Sequence, residues 1–235
     1  RDILDALPDF KFNRGPLAES DGSLPDARGV ELVFPPVSYR QIKNSKSVFA
    51  KAMKALEGKI STRATSPGMH ININTMGWTN AQANVFAAVV HNTPTASLVR
   101  LGGRNLNTYC RQRFGVQLSY YGGMYHSVAS NKGNRIELRF PKPTTDHEKI
   151  KKIIEYAEVV ERFAKKADST KYGLTTSTIY ADFVKYASKT KKGKLVLGYL
   201  NGTNEETKKA ASTNPDSSAL PAQPISNGIT SSTID

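Results

Sequence analysis

One cysteine, Cys110, is all that the 235 residues contain, and this excludes an internal disulfide framework or a multi-cysteine metal site. A reducing compartment suits such a chain. Long hydrophobic runs are missing as well. No eighteen consecutive apolar residues occur, so no stretch is expected to cross a membrane as a helix. No G-x-x-x-x-G-K-[ST] loop is present, which removes the P-loop class of nucleotide site, and LGGRN lacks the context of a dinucleotide fingerprint. There is no H-E-x-x-H. Four scattered histidines, His70, His91, His126 and His147, do not make a zinc set. His91 ends one predicted helix and His147 opens another, so both are expected to cap helices or lie at the surface. Cys110, in NTYCRQR, has arginines beside it that favour a thiolate, yet it reads better as a small buried residue.

Acidic residues are scarce: 20 stand against 33 lysines and arginines, for a formal net charge of +13. In the last 35 residues Lys208 and Lys209 face Glu205, Glu206, Asp216 and Asp235, leaving −2 there and +15 on the first 200. Such a body attracts polyanions, whether nucleic acid, an anionic surface or nucleotide phosphates; a merely soluble basic protein shows the same balance. Hydrophobic content is low at 38%, which points to a stretch outside the globule. From Asn201 onward the sequence is rich in Ser, Thr, Asn and Pro without helical or strand periodicity. It reads as a flexible tail, ordered only against a partner. The expected division is a domain over 1–200 and a tail over 201–235.

Within the domain, amphipathic helices alternate with short strands. KNSKSVFAKAMKALEGK puts Val48, Phe49, Ala52, Met53 and Leu56 on one stripe, with Gly58 suited to the stop. Thr79 and Gln82 form a capping-box pair ahead of Val85, Phe86, Val89 and Val90. Thr145 and Glu148 repeat that pattern before the longest predicted helix, 146–166, whose stripe is Ile150, Ile153, Ile154, Ala157, Val160 and Ala164. A further helix is expected over 176–188 and a strand in KLVLGYL. Four other segments read as strands by alternation: GVELVFPP, GMHININ, GVQLSYY and RIELRF. In RIELRF, Arg135, Glu137 and Arg139 take one face while Ile136, Leu138 and Phe140 take the other.

If these strands share a sheet, their polar faces line one surface carrying Glu31, His70, Asn72, Arg135, Glu137 and Arg139. A half-covered antiparallel sheet often has a polar outer face, but the residue types here are specific. Carboxylates in a concave site are costly to desolvate unless paired, and a divalent cation such as Mg²⁺ or Mn²⁺ removes that cost. Guanidinium groups bind phosphate oxygens bidentately. Carboxylates, a cation and arginines on one face describe a phosphoryl-transfer site.

In this order the segments resemble the amidoligase branch of the glutamine synthetase-like carboxylate–amine ligases. ESDGSLPDARGVELVFPP is similar to the family's acidic DGS…G-x-E-L-x-x-P-P segment, SPGMHININ to its G-x-H strand, and NRIELRFPKPTTDHEKI to its x-I-E-x-R strand with the long helix after it. LGGRNLNTYC resembles its arginine-containing segment more loosely. The resemblance implies an α+β fold, a glutamine synthetase-like curved antiparallel sheet with helices packed on one face. It also implies ATP held by divalent cations on the polar face, a carboxylate that takes the γ-phosphate, and an amine that displaces it to form an amide. Glu31 and Asp21 would be metal ligands from the acidic segment, and His70 and Glu137 would hold a metal near the transferred group. Arg139 would contact nucleotide phosphate and stabilise the charge in transfer, with Arg135 and Asn72 assisting in binding. The implied partners are a carboxylate and an amine substrate, with no membrane, in the cytoplasm.

One departure stands out. Relatives open with a G-x-E-x-E strand that supplies further metal ligands, and RDILDALPDFKFNRGPLAE holds none. That strand is expected before Arg1, on a separate N-terminal fragment, or to be lost, and without it the chain alone is expected to be poorly active. The alternative expectation is an inactive ligase-fold protein with a structural or binding role in a larger oligomeric assembly. A phage virion is one example, with contacts to nucleic acid or neighbouring subunits.

Overall fold

A computed structural model describes residues 17–20, 30–59, 68–108, 110–121 and 127–203; the 201–235 tail from residue 204 and the DGS segment lie outside them. The architecture is mixed helix and strand, as an α+β class requires. Strands β1 (Leu17–Ser20) and β2 (Val30–Val33) form an antiparallel pair that aligns Glu19 with Glu31. Strand β3 (Ile71–Asn74) pairs with β5 (Arg135–Leu138), which pairs with β4 (Ala129–Asn131) on its other side, all antiparallel. The expected single sheet is therefore two sheets among the described residues. β1 and β4 are additions to the sequence reading.

The α-helices among the described residues are α1 (Tyr39–Lys43), α2 (Val48–Leu56), α3 (Asn80–Asn92), α4 (Thr95–Gly102), α5 (His147–Ala164), α6 (Ile179–Ala187) and α7 (Lys191–Asn201). Thr79 and Gln82 make the reciprocal cap of α3 as expected, and Val85, Phe86, Val89 and Val90 are fully buried. The α5 stripe is buried throughout. Its cap is one residue away from the expected one. Asp146, not Thr145, accepts the main-chain N–H groups of Glu148 and Lys149 at 3.0 and 3.2 Å, where a carboxylate also meets the positive end of the helix dipole.

Two predicted strands are helical instead. GVQLSYY becomes a 3₁₀ turn over Leu118–Tyr121 that buries Leu118 and Tyr121, three residues apart. The chain before it is tied to the C-terminal end of α3. Gln112 Nε2 donates to the carbonyls of His91 and Thr93, and the Gly115 N–H donates to Asn92 Oδ1. The Gly115 N–H, and the Gly115 and Val116 carbonyls that accept the Thr175 and Thr176 hydroxyls, are main-chain groups that a ladder would need. KLVLGYL lies in α7: Gly193, Val196 and Leu200 are buried at helical spacing, Thr190 caps the start and Gly202 closes the end in left-handed conformation.

The apolar face of β3–β5–β4 carries Ala129, Ile136, Leu138 and Ile73 into a core shared with α3, α5, α6 and α7. A chain of edge-on rings runs from Phe140 through Tyr156 to Phe183, at 6.4 and 6.2 Å between centroids. A second cluster joins Leu32 and Phe34 to α1, α2 and the first turns of α5 through Ile42, Phe49, Met53, Leu56, Ile150 and Ile154. Met69 and Ile71 touch both clusters.

Candidate functional site

The face of β3–β5–β4 turned away from those helices places three polar residues in one row. Asn72 on β3 stands opposite Glu137 on β5, and Ser130 on β4 stands opposite Glu137 from the other side. Arg135 and Arg139, two residues either way along β5, share the face. Arg135 Nε donates to Asn72 Oδ1 at 3.2 Å. Arg139 Nε lies 2.8 Å from Glu137 Oε1, with both side chains largely covered. That contact is electrostatic rather than an aligned hydrogen bond, because the buried Nε–H of Arg139 has no hydrogen-bond acceptor among the described residues. His70 is exposed one residue before β3.

Ser130 completes the row and was missed by the sequence reading. It is fully buried, and its hydroxyl has no hydrogen-bond partner among the described residues. A signal for it was present: Gly133-Asn134 immediately before RIELRF is a two-residue hairpin turn. Gly133 adopts φ 83°, and the Lys132 N–H reaches the Arg135 carbonyl at 2.8 Å to close the hairpin.

Three of the sequence motifs meet at the end of β5. Arg104, from LGGRN, donates through Nη2 to the Arg139 carbonyl at 2.5 Å and through Nε to the Phe140 carbonyl at 3.3 Å. Gly68 of SPGMH leaves room for that guanidinium, since a Cβ there would lie 3.2 Å from Nη2. Gly102 is pressed against the same strand, where a Cβ would sit 2.7 Å from the Phe140 oxygen.

His70, Asn72, Arg135, Glu137 and Arg139 thus fall on or beside one sheet. Glu31 does not join them by strand pairing, for it belongs to β2 in the other sheet, and Asp21 lies outside the described residues. No group of three or more His, Cys, Asp or Glu side chains gathers as a metal site among the described residues.

His91 departs from its expected capping or surface role. It is fully buried in the last turn of α3. Its Nε2 bonds the Ala129 carbonyl at 2.8 Å and its Nδ1 accepts the Arg113 N–H at 2.9 Å, which fixes a neutral Nε2–H tautomer. Burial lowers its pKa to about 4, against the Ala129 hydrogen bond and with help from Arg113. His91 therefore anchors β4, the strand that presents Ser130. Cys110 is buried, as read from the sequence. No helix among the described residues is long and apolar enough to cross a membrane. Comparison with protein-family profiles, curated proteins and solved structures finds no match for this chain.

Proposed function

We propose that the polar face of β3–β5–β4 binds the phosphates of ATP, and that the chain is the scaffold of an ATP-dependent ligase joining a carboxylate to an amine through an acyl-phosphate. The observation that carries this reading is the pair of buried donors lacking acceptors among the described residues, Ser130 Oγ and Arg139 Nε, on the face that also holds Glu137. Two unfilled donors suit an anion rich in acceptor oxygens, and phosphate is one. Arg139 and Arg135 would supply positive charge to it, Ser130 a hydroxyl donor and Asn72 an amide. These groups keep their places because Arg104 grips the end of β5 and His91 grips β4.

A divalent cation would neutralise phosphate charge and polarise the transferred group. Glu137 and His70 are the candidates to hold one, with Glu31 and Asp21 added by the family resemblance. The described donors alone fit it incompletely, because the Glu137 carboxylate already faces a guanidinium. That same pairing favours a second reading, a binding or structural protein on a ligase scaffold, with its carboxylate balanced from within.

Calorimetric titration with ATP, with and without Mg²⁺, separates the two. The ligase reading expects binding that Arg139→Gln weakens at least tenfold and that depends on Mg²⁺ unless Glu137 is changed to Gln. Failure of the full chain to bind ATP, or equal affinity in wild type and Arg139→Gln, overturns it and leaves the second reading.

A further inference from the structure

Three cations converge on one carboxylate where α1, α5 and α7 meet. Lys43 Nζ and Lys192 Nζ lie 2.7 and 2.5 Å from Glu158 Oε2, and Arg162 Nη2 lies 2.8 Å from Oε1. Glu158 itself is buried. Burial alone would raise its pKa, but hydrogen bonds from Lys192 and Lys43 outweigh this and hold it below the ordinary carboxylate range. The Lys192 pKa is lowered too, by burial first and also by Lys43, against its hydrogen bond to Glu158. Against Lys43, Lys192 and Arg162 stand Glu158 and, acting on Lys43, Glu155, so the cluster keeps a net positive charge.

The surroundings add to that excess. From Phe183 to Thr203 the chain holds five lysines and no acidic residue. Lys189, Lys191 and Lys194 flank Lys192 at the start of α7. All three are exposed and pair with no acidic side chain among the described residues. The other acids of this side of α5 keep their charges: Glu155 accepts the Tyr199 hydroxyl, and Glu161 accepts the Tyr39 hydroxyl and pairs with Lys165. The first turn of α7 contains no acid to complement the helix dipole. Like charges crowded at a helix start oppose folding, and among the described residues no acidic side chain pairs with these three lysines.

We propose that the α1–α5–α7 corner, through Lys43, Arg162, Lys189, Lys191, Lys192 and Lys194, docks the phosphodiester backbone of a nucleic acid. A spread of point charges on flexible stems fits a repeating anion without base selectivity. A membrane surface fits less well. The apolar sides of α6 and α7 are spent inside the core through Ile179, Phe183, Val196 and Leu200, so these helices have no greasy face to insert. The surface is separate from the β3–β5–β4 face and does not depend on ATP binding there.

Fluorescence anisotropy of the full chain with a labelled 20-mer DNA duplex, across a series of salt concentrations, tests this. Lys189, Lys191 and Lys194, all changed to Glu, should weaken binding at least tenfold and flatten the log–log salt slope by about 2 to 3, near 0.9 for each phosphate no longer neutralised. The milder triple change to Gln should act in the same direction. Lys51, Lys54 and Lys59 on and after α2 are exposed lysines too; changed to Glu, they alter net charge equally and should leave affinity within about twofold. Glu137→Gln should bind DNA as wild type does. Equal weakening by both triples means that net charge alone acts and overturns the proposal. So does an unchanged affinity, or binding to phosphatidylserine vesicles but not to DNA.

Discussion

The Arg104 guanidinium spans two consecutive main-chain carbonyls of another segment, those of Arg139 and Phe140. Because β5 ends at Leu138, these carbonyls fall beyond the strand. A charged donor to a carbonyl contributes about 2 kcal/mol, and leaving a buried acceptor unfilled costs on the same order. Arg104→Met should therefore lower stability by about 2 kcal/mol, read from the denaturant midpoint at constant slope. Arg104→Lys should recover less than half, because one ammonium on a flexible stem does not reproduce the planar fork. Full recovery by Lys would show that charge, not the fork, holds the strand end.

Single-element readings succeeded wherever one face of a segment decides its burial. The α5 stripe, the α3 cap and the alternation of RIELRF are local patterns enforced by one apolar neighbour, and each appears in the fold as read. KLVLGYL failed because Leu195, Val196, Leu197, Tyr199 and Leu200 form a run apolar enough for either period. The deciding signals lay at its ends, in Thr190 and in Asn201-Gly202. GVQLSYY failed for a non-local reason, since its preceding loop is tied to α3. The candidate site was legible in part. RIELRF and GMHININ do align across β5 and β3, but Ser130 needed the Gly133-Asn134 turn to be seen, and the separation of β2 from that sheet depends on pairing with β1. Buried His91 was invisible because its partner, the Ala129 carbonyl, is a main-chain group 38 residues away.

His91 makes stability depend on pH in a predictable direction. Its folded pKa, about 4, lies below the ordinary value of 6.5. Above pH 6.5 the imidazole is neutral in both states and its contribution is complete. Between 6.5 and 4 the unfolded chain takes up a proton that the native one refuses, so stability falls as pH falls. The full loss is about 3 kcal/mol, from roughly 1.4 kcal/mol per pK unit. Unfolding free energies measured from pH 7.5 to 4 should show wild type losing that much more than His91→Gln. Parallel curves for the two proteins would mean that His91 protonates inside the fold without penalty.

Ser130 sets stability against binding. A buried hydroxyl without a partner costs about 1 to 3 kcal/mol, and alanine removes the polar atom while keeping the strand. On folding grounds alone, Ser130→Ala should gain about 1 kcal/mol, which for a chain of this size raises the melting temperature by roughly 2–4 °C. On the proposed function the same change should weaken ATP about tenfold, equivalent to about 1.4 kcal/mol. Differential scanning calorimetry and calorimetric titration read the two effects separately. A gain in stability with unchanged affinity would mark the hydroxyl as an isolated defect of packing and remove Ser130 from the phosphate site. A loss in stability would show that the hydroxyl already has a partner in solution, and with it would go the observation on which the anion site rests. Only the combination of a more stable protein and a weaker binder places the cost of the unfilled donor in the service of a ligand.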